Sequence, residues 1–205
     1  MLPYKNFIIL FSAPSGAGKS TLVKMLLEKY NNVKLSVSAT TRAKRDGEID
    51  GVHYHFLTKE QYKVKVRNNE FFEYAEVFSN HYGTLKQPVE DMLNKGIDVI
   101  FDIDWQGARQ ASKQLDETKL LKIFILPPSI EELSNRLHGR GQDSEEVIKK
   151  RMDKAKNEIS HYNEFDYVVI NDDLNKAFIE ICAIIDAKRI KNAKGLDGFV
   201  YTMIK

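Results

Sequence analysis

The sequence predicts an α/β fold in which a parallel sheet lies between two layers of helices. Two observations predict it: short apolar runs alternate with segments of helical periodicity, and a glycine-rich loop joins the first run to the first helix. The runs Val99-Ile100-Phe101 and Ile123-Phe124-Ile125-Leu126 are apolar throughout, as strands covered on both faces require. We therefore expect core strands at residues 7–12, 34–38, 98–103, 122–126 and 167–170.

The segment after the first apolar run has the pattern of a phosphate-binding loop. It reads Ala13, Pro14, Ser15, Gly16, Ala17, Gly18, Lys19, Ser20 and Thr21. The glycines let backbone N–H groups point inward, Lys19 can reach the outer phosphates, and the Ser20 hydroxyl can bind Mg²⁺. Ala13 stands where the usual pattern has its first glycine, and a methyl group is tolerated there if φ is negative. With the positive end of the helix expected at residues 20–30, this loop predicts a nucleoside triphosphate site.

Further signals indicate where later helices begin and end. Thr58-x-x-Gln61 and Ser129-x-x-Glu132 have the capping-box form of helix N-termini, and Lys95-Gly96 is typical of a helix C-terminus. The single cysteine, Cys182, lies in an apolar helical stripe. We expect this thiol to be buried in the core.

Composition and charge exclude several classes of partner. The 31 basic and 29 acidic residues are interspersed and leave a net charge of +2, so we expect no nucleic-acid partner. Apolar runs are too short for a signal peptide or a membrane span, which predicts a cytoplasmic protein with no membrane partner. The tail from Gly195 is expected to pack on the core or on a second subunit, so a homo-oligomer stays open.

Two stretches interrupt the alternation of strands and helices. The first runs from Thr40 to about Leu85, carries Arg42 and Arg45, and alternates at residues 71–78 in the manner of short inserted strands. The second spans residues 135–151 and carries arginines in a glycine-flanked helical segment, typical of a hinged lid. Its arginines are Arg136, Arg140 and Arg151.

These arginines indicate a transfer reaction. Arginine forks match phosphate oxygens, so two separate arginine sets imply two phosphate sites, a donor and an acceptor. The guanine-reading Asn-Lys-x-Asp motif of GTPases is missing, since Asn175-Lys176 is followed by alanine and phenylalanine. Asp102-Ile103-Asp104 also lacks the Asp-Glu pair common in hydrolytic ATPases. Hydrolysis is therefore disfavoured.

The acceptor chemistry requires no dedicated base. A phosphomonoester has a second pKa of about 6, so its oxygen is already largely ionised at neutral pH. The histidines are scattered and are expected to be structural or surface residues: His53, His55, His81, His138 and His161. Catalysis would then consist of positioning and charge neutralisation.

The motifs together resemble the guanylate kinase family over nearly the whole chain. They are the phosphate loop, Ser36-Val37-Ser38-Ala39-Thr40-Thr41-Arg42-x-x-Arg45-x-Gly47-Glu48-x-x-Gly51-x-x-Tyr54, Glu70-Phe71-x-Glu73, Tyr82-Gly83-Thr84, Asp102-Ile103-Asp104-x-Gln106-Gly107, Arg136-x-x-x-Arg140-Gly141 and Asn171-Asp172-Asp173. The resemblance implies a three-layer P-loop kinase core with a parallel sheet, a GMP-binding insert and a lid. It also implies transfer of the γ-phosphoryl group of ATP to GMP. Compared with the family, Lys44 replaces a common proline and Thr84 stands where serine is also common.

The resemblance assigns roles to individual residues. GMP would be bound by Ser38, Arg42, Arg45, Tyr54, Glu73, Tyr82, Gly83, Thr84 and Asp104. ATP would be bound by residues 13–21 with Arg136, Arg140 and Asn171, the last near adenine. Mg²⁺ would be held by Ser20, with Asp102 acting through water. The catalytic residues would be Lys19, Arg42, Arg136, Arg140 and Arg151.

The same resemblance divides the chain into three parts. The core would comprise residues 1–38, 86–127 and 156–205, the insert residues 39–85, and the lid residues 128–155. Two alternatives remain: a scaffold module of this fold that binds a phosphorylated peptide, and a kinase for AMP or a pyrimidine monophosphate. The intact Gly18-Lys19-Ser20 argues against the first, and Glu73 with Thr84 and Asp104 against the second.

Overall fold

The computed structural model describes residues 4–77, 79–139 and 144–193. Within these ranges the chain forms nine strands in two sheets and seven α-helices. The strands are β1 (Ile8–Ser12), β2 (Val33–Leu35), β3 (Ala39–Thr40), β4 (His55–Phe56), β5 (Phe71–Val77), β6 (Asn80–Leu85), β7 (Asp98–Asp102), β8 (Leu120–Leu126) and β9 (Tyr167–Ile170). The helices are α1 (Lys19–Lys29), α2 (Lys59–Arg67), α3 (Lys86–Asn94), α4 (Trp105–Ser112), α5 (Ile130–His138), α6 (Glu145–Ile159) and α7 (Leu174–Lys191).

The larger sheet has the order β2-β7-β1-β8-β9, and its recorded strand pairs are parallel. The α/β prediction is confirmed, and four of the five expected core strands lie within a few residues of their predicted bounds. The prediction of a strand at residues 34–38 was wrong in its extent, because β2 covers only Val33–Leu35. Ser36 still bonds to the Ile100 carbonyl at 2.8 Å, and the chain then leaves this edge of the sheet to begin β3.

Two apolar clusters cover the two faces of the sheet. On one face Ile9 and Phe11 of β1 pack with α1 and α7, and Cys182 is buried there as expected. On the other face Ile8 and Leu10 pack with buried residues of α3 and α4. Because successive side chains of a strand point to opposite faces, β1 supplies both clusters and holds the helical layers together.

The residues between β2 and α3 form a second, smaller sheet. Its order is β4-β3-β6-β5, and β5 and β6 are antiparallel partners. Helix α2 packs on it through the buried Tyr62, which contacts a cluster with Phe71 and Leu85. The Thr58–Gln61 capping box is present in full, with both hydrogen bonds formed. The expectation of short inserted strands is confirmed, and a helix accompanies them.

The segment expected to be a lid, residues 128–155, contains helix α5 and most of helix α6, which continues beyond it to Ile159. Ser129 caps α5 by accepting from the Glu132 N–H at 3.0 Å. The other half of this expected capping box is replaced, because the Glu132 carboxylate accepts from Arg136 Nε at 2.7 Å instead. Helix α3 ends at Asn94 before Gly96, whose φ of +82° explains the glycine at this predicted stop.

A buried ion pair joins the last helix to the amino-terminal edge of the sheet. Arg189 Nη2 on α7 lies 2.8 Å from Asp98 Oδ2 at the start of β7, and the two side chains are 4% and 0% exposed. The Asp98 carboxylate also accepts from the Tyr4 hydroxyl at 2.8 Å and the Asn6 amide at 3.0 Å. Such saturation by donors is what a buried charge requires.

We expect Arg189→Leu to lower the free energy of unfolding by about 3–5 kcal/mol, because Asp98 would remain buried without its countercharge. Urea denaturation measures this change. The matched control is Lys65→Met, which breaks the half-exposed Lys65–Glu70 pair and should cost under about 1 kcal/mol. Equal losses in the two variants would contradict this account of the pair.

Candidate active site

The phosphate loop connects β1 to α1 and forms one wall of a cavity. Gly16 and Gly18 have φ values of +100° and +96°, a region that favours glycine. The cavity has a volume of about 360 Å³. Its lining residues are Ala13, Pro14, Ser15, Gly16, Gly18, Lys19, Ser20, Thr21, Asp102, Asp104 and Glu158. Most of the loop residues predicted to bind phosphate therefore face one space, and Ala17 is buried behind them.

Lys19 and the end of β7 form an ion pair beside this cavity. The Lys19 ammonium contacts the Asp102 carboxylate and lies 3.5 Å from the Ile103 carbonyl oxygen. Ser20 and Thr21 are exposed at the start of α1, so their hydroxyls are accessible to a ligand. Within the described ranges, no three His, Cys, Asp or Glu side chains converge as a metal site. The Ser20 hydroxyl and the nearby Asp102 carboxylate are hard oxygen ligands of the kind that suits Mg²⁺.

Glu158 is a site residue that the sequence reasoning missed. Its side chain, near the end of α6, lines the phosphate cavity and is 11% exposed. Burial raises the pKa of this carboxyl, while the charges of Lys154 and Lys19 oppose that change. It follows the segment assigned to the lid, and a lone glutamate on a helix carries no signal of a distant loop contact.

Asn171 and Arg136 meet on the far side of the loop. Asn171 is 4% exposed, and its side-chain amide donates to the Ala17 carbonyl at 2.7 Å. Arg136 Nη2 donates to the Asn171 carbonyl at 3.1 Å. Arg151 is half-buried on α6. Arg140, predicted to bind ATP, lies outside the described residues.

A second cationic cluster lies in the smaller sheet. The Arg42 guanidinium is 5.4 Å from the centre of the Tyr54 ring, and the Tyr54 and Tyr82 rings are 6.2 Å apart. Arg42 Nη2 donates to Glu48 Oε1 at 2.6 Å, and the Arg45 N–H donates to Glu48 Oε2 at 2.8 Å. Glu48, which the sequence reasoning did not assign to the site, thus organises the loop that carries both arginines. The hydrogen bond from Arg42 lowers the pKa of Glu48.

The predicted base-reading residues form a buried polar group. Glu73 on β5 is 7% exposed, and its Oε1 accepts from the Thr84 hydroxyl at 2.7 Å. Burial raises the pKa of the Glu73 carboxyl; the Thr84 hydrogen bond opposes this and the charge of Asp104 adds to it. A β-carbon on Gly107 would lie 3.2 Å from Glu73 Oε2, so the glycine leaves room for the carboxylate.

The remaining predicted GMP residues shape this region through the backbone. A β-carbon on Gly83 would lie 2.6 Å from the Glu73 carbonyl oxygen, so only glycine permits this approach of β5 and β6. Ser38 is half-buried and its carbonyl accepts from the His55 N–H at 2.9 Å. Asp104 caps α4 by accepting from the Gly107 N–H at 2.9 Å.

Asp104 connects the two regions. It lines the phosphate cavity, and its charge acts on the Glu73 carboxyl. The triphosphate-type loop and the buried carboxylate of the smaller sheet therefore share one wall. Such an arrangement can bring a phosphate donor and a second, base-selected ligand into one site.

Comparisons with known proteins agree on one family. The model of the family described as "Guanylate kinase" matches residues 4–188. The guanylate kinase of Vibrio cholerae serotype O1 is 57% identical over 192 residues, which cover 93% of this chain and 92% of the relative. That of Zymomonas mobilis is 49% identical over 205 residues, 99% of this chain and 94% of the relative.

A solved structure agrees with the sequence relatives. The crystal structure of guanylate kinase from Anaplasma phagocytophilum superimposes with a TM-score of 0.74 at 35% sequence identity, covering 98% of this chain and 96% of that one. None of the helices in residues 4–77, 79–139 and 144–193 is long and apolar enough to span a membrane. The loop, the buried carboxylate and these matches over nearly the full length lead to one conclusion: the chain belongs to the guanylate kinase family.

Proposed function

We propose how this chain carries out the reaction of its family, the transfer of the γ-phosphoryl group of ATP to GMP to give ADP and GDP. ATP binds with its phosphates in the cavity beside the phosphate loop, and GMP binds in the smaller sheet. The observation that carries this proposal is the buried Glu73–Thr84 pair, 2.7 Å apart, next to the wall that both regions share.

Glu73 and Thr84 select guanine. Guanine presents N1–H and N2–H donors that one carboxylate accepts together, and an O6 acceptor. In this structure the Thr84 hydroxyl donates its only proton to Glu73. When the guanine donors take over that role, the hydroxyl is released to donate to O6. Adenine has no N1–H donor, so it would occupy the site without supplying the pair of donors that guanine offers to the buried carboxylate, which is costly.

Arg42, Arg45, Tyr54 and Tyr82 bind the GMP phosphate. Arg42 is already held over the Tyr54 ring by Glu48, so its guanidinium loses little freedom on binding. Part of its interaction with Glu48 is exchanged for the phosphate dianion. Because the phosphate oxygen is already largely ionised, the reaction needs no general base.

The phosphate loop, Lys19 and the lid arginines bind and neutralise the ATP phosphates. Lys19, held by Asp102 in this structure, turns to the outer phosphates. Ser20 would hold Mg²⁺ directly and Asp102 through water, and the ion would neutralise developing charge on the phosphates. Arg136, Arg140 and Arg151 complete the cationic site when the lid closes, and closure excludes water that would hydrolyse ATP.

The proposed function divides the chain into three parts. They are a core of residues 1–38, 86–127 and 156–205, the insert 39–85 and the lid 128–155. The two-sheet architecture supports the first boundary, since β3 begins at Ala39 and β6 ends at Leu85. A cytoplasmic location is part of the proposal, and the single, buried Cys182 is compatible with a reducing compartment. The homo-oligomer stays a prediction.

The test is ADP production with ATP and Mg²⁺, offering GMP, AMP, CMP and UMP separately, with ATP alone as the hydrolysis control. We expect turnover with GMP only. Turnover with another monophosphate would overturn the base site, and binding of a phosphopeptide without turnover would favour the scaffold alternative.

We expect Glu73→Gln to lower kcat/KM for GMP by roughly 100-fold, because the amide opposes one of the two guanine donors and leaves it unpaired. The affinity for ATP should be unchanged. Steady-state kinetics with GMP varied, and calorimetry for ATP, measure the two effects. The matched control is Glu76→Gln, an exposed position on the same strand. Equal losses for GMP and ATP would mean that the base site is misplaced.

The pH dependence of GMP use should follow Glu73. Its raised pKa means that the carboxylate becomes protonated, and loses its capacity to accept both guanine donors, at a higher pH than an ordinary glutamate. Thr84, Asp104 and Tyr62 are the polar groups that interact with it. We expect kcat/KM for GMP to fall with decreasing pH at a higher pH than an ordinary glutamate would cause, and this component to be missing in Glu73→Gln. Because GMP's own phosphate titrates equally for both enzymes, the ratio of the two profiles isolates Glu73.

Lys19→Ala should lower kcat by at least about 100-fold with little change in GMP affinity, because the ammonium stabilises charge on the transferring phosphoryl group. Single-turnover phosphoryl transfer and GMP titration measure these two quantities. Lys24→Ala, exposed on the same helix, is the control and should retain activity. A large loss of GMP affinity in Lys19→Ala would contradict the separation of the two sites.

A further inference from the structure

We propose that Asn171 is a positioning residue of the phosphate loop: its amide sets the orientation of the Ala17–Gly18 peptide, and thereby aims the Gly18 N–H into the phosphate cavity. This inference deepens the proposed function and rests on it for the role of the cavity. It differs from the expectation that Asn171 contacts adenine.

The backbone of Asn171 is fixed by the larger sheet, independently of the contact that its side chain makes with the loop. It directly follows β9, and its backbone N–H donates to the Leu126 carbonyl at the end of β8 at 2.8 Å. The residue is 4% exposed, and its side-chain Nδ2 donates to the Ala17 carbonyl at 2.7 Å. A short side chain on the sheet edge therefore holds one specific carbonyl of the loop.

The geometry of the peptide bond converts this contact into a direction for a phosphate donor. In a planar trans peptide the carbonyl and the N–H point to opposite sides. The Ala17 carbonyl and the Gly18 N–H belong to the same peptide, so a hydrogen bond that holds the carbonyl toward Asn171 turns the N–H away from it. Gly18 lines the phosphate cavity, whereas Ala17 is fully buried, as this orientation requires.

The side-chain amide of Asn171 also fills the space beside the Gly18 α-carbon. A β-carbon built on Gly18 would overlap Asn171 Nδ2. A glycine is thus required at position 18 for two reasons. Its φ of +96° is one that other residues rarely adopt, and the Asn171 side chain occupies the position that a β-carbon would take. Gly18 and the Asn171 side chain are packed directly against each other, so both would have to move if the Ala17–Gly18 peptide were to flip.

Asn171 also contacts the segment assigned to the lid. Arg136 Nη2 on α5 donates to the Asn171 carbonyl at 3.1 Å, and its Nε donates to Glu132. The backbone of Asn171 therefore holds an arginine of the proposed ATP site while its side chain holds the loop. Arg136 can move toward the phosphates without breaking the hydrogen bond between the Asn171 amide and the Ala17 carbonyl. The loop therefore keeps its conformation through the reaction.

The burial of the side chain separates this role from base recognition. One amide hydrogen of Nδ2 is used by Ala17, and the 4% exposure leaves almost no surface for an adenine ring. A positioning role predicts that phosphate binding weakens whatever base is attached. An adenine contact predicts that only adenine nucleotides are affected.

The experiment compares Asn171→Ala and Asn171→Asp with the unaltered chain in three assays. Calorimetry with Mg²⁺ and inorganic tripolyphosphate measures phosphate binding without any base. Steady-state kinetics compare ATP and ITP as donors, since ITP lacks the 6-amino group. We expect Asn171→Ala to weaken tripolyphosphate binding by roughly 5- to 150-fold, the range for an unpaired buried carbonyl. The KM values of ATP and ITP should rise by the same factor.

Asn171→Asp should have the larger effect, because a carboxylate has no hydrogen to donate and repels the Ala17 carbonyl. Asn175→Ala, an exposed position near the start of α7, is the control and should leave all three assays unchanged. The KM for GMP should also stay unchanged in Asn171→Ala, which distinguishes a local effect on the loop from general damage. If Asn171→Asp does not fold, Asn171→Ala decides, since it adds no charge.

Two results would overturn the inference. Unchanged tripolyphosphate binding with weaker ATP binding would make Asn171 an adenine contact, and unchanged binding of both would leave it no role at the loop. Failure of the proposed function is seen separately, because the unaltered chain would then not phosphorylate GMP while tripolyphosphate binding could still respond to Asn171.

Discussion

The site depends on the parallel arrangement of β7, β1, β8 and β9. Their carboxyl ends lie at one edge of the sheet, so the segments that follow them meet there. The phosphate loop follows β1, Asp102 ends β7, and Asn171 follows β9. Two apolar clusters fix the sheet between its helices. The packing of the core therefore brings together groups that are distant in the chain, and direct contacts such as Lys19–Asp102 and Asn171–Ala17 then join them.

Several cations of the proposed phosphate sites are already paired with a carboxylate. Lys19 contacts Asp102, Arg42 lies 2.6 Å from Glu48, and Arg136 lies 2.7 Å from Glu132. These pairs hold long side chains in one conformation, which reduces the entropy lost when a ligand binds. None of these three cations is an isolated charge in this structure, and a phosphate must replace or share the carboxylate partner.

In the proposed function the smaller sheet has a different role, the selection of a base. A buried carboxylate is unfavourable unless donors surround it, and Glu73 has the Thr84 hydroxyl as its donor in this structure. Burial and the neighbouring charge of Asp104 make the ionised form of Glu73 harder to reach. Because the buried Glu73 carboxylate needs donors, a ligand that brings N–H groups should bind better than one that does not. This difference in affinity would make the site selective.

The sequence by itself determined the α/β class, the core strands, the phosphate loop and the Thr58 cap, because each depends on periodicity or on a local pattern of residue types. It also predicted a glutamate, arginines and tyrosines for the candidate site, and their roles stay predictions. Only the tertiary structure decided that β2 stops at Leu35, that Glu132 pairs with Arg136 instead of completing its cap, and that Glu48 and Glu158 belong to the site. It likewise decided that Asn171 holds the loop at Ala17. The contact between Asn171 and Ala17 joins residues 154 positions apart, and local sequence carries no record of which distant group fills a given hydrogen bond. The contacts of Glu132 and Glu48 are short-range, but local sequence does not decide which of several nearby donors a carboxylate accepts from.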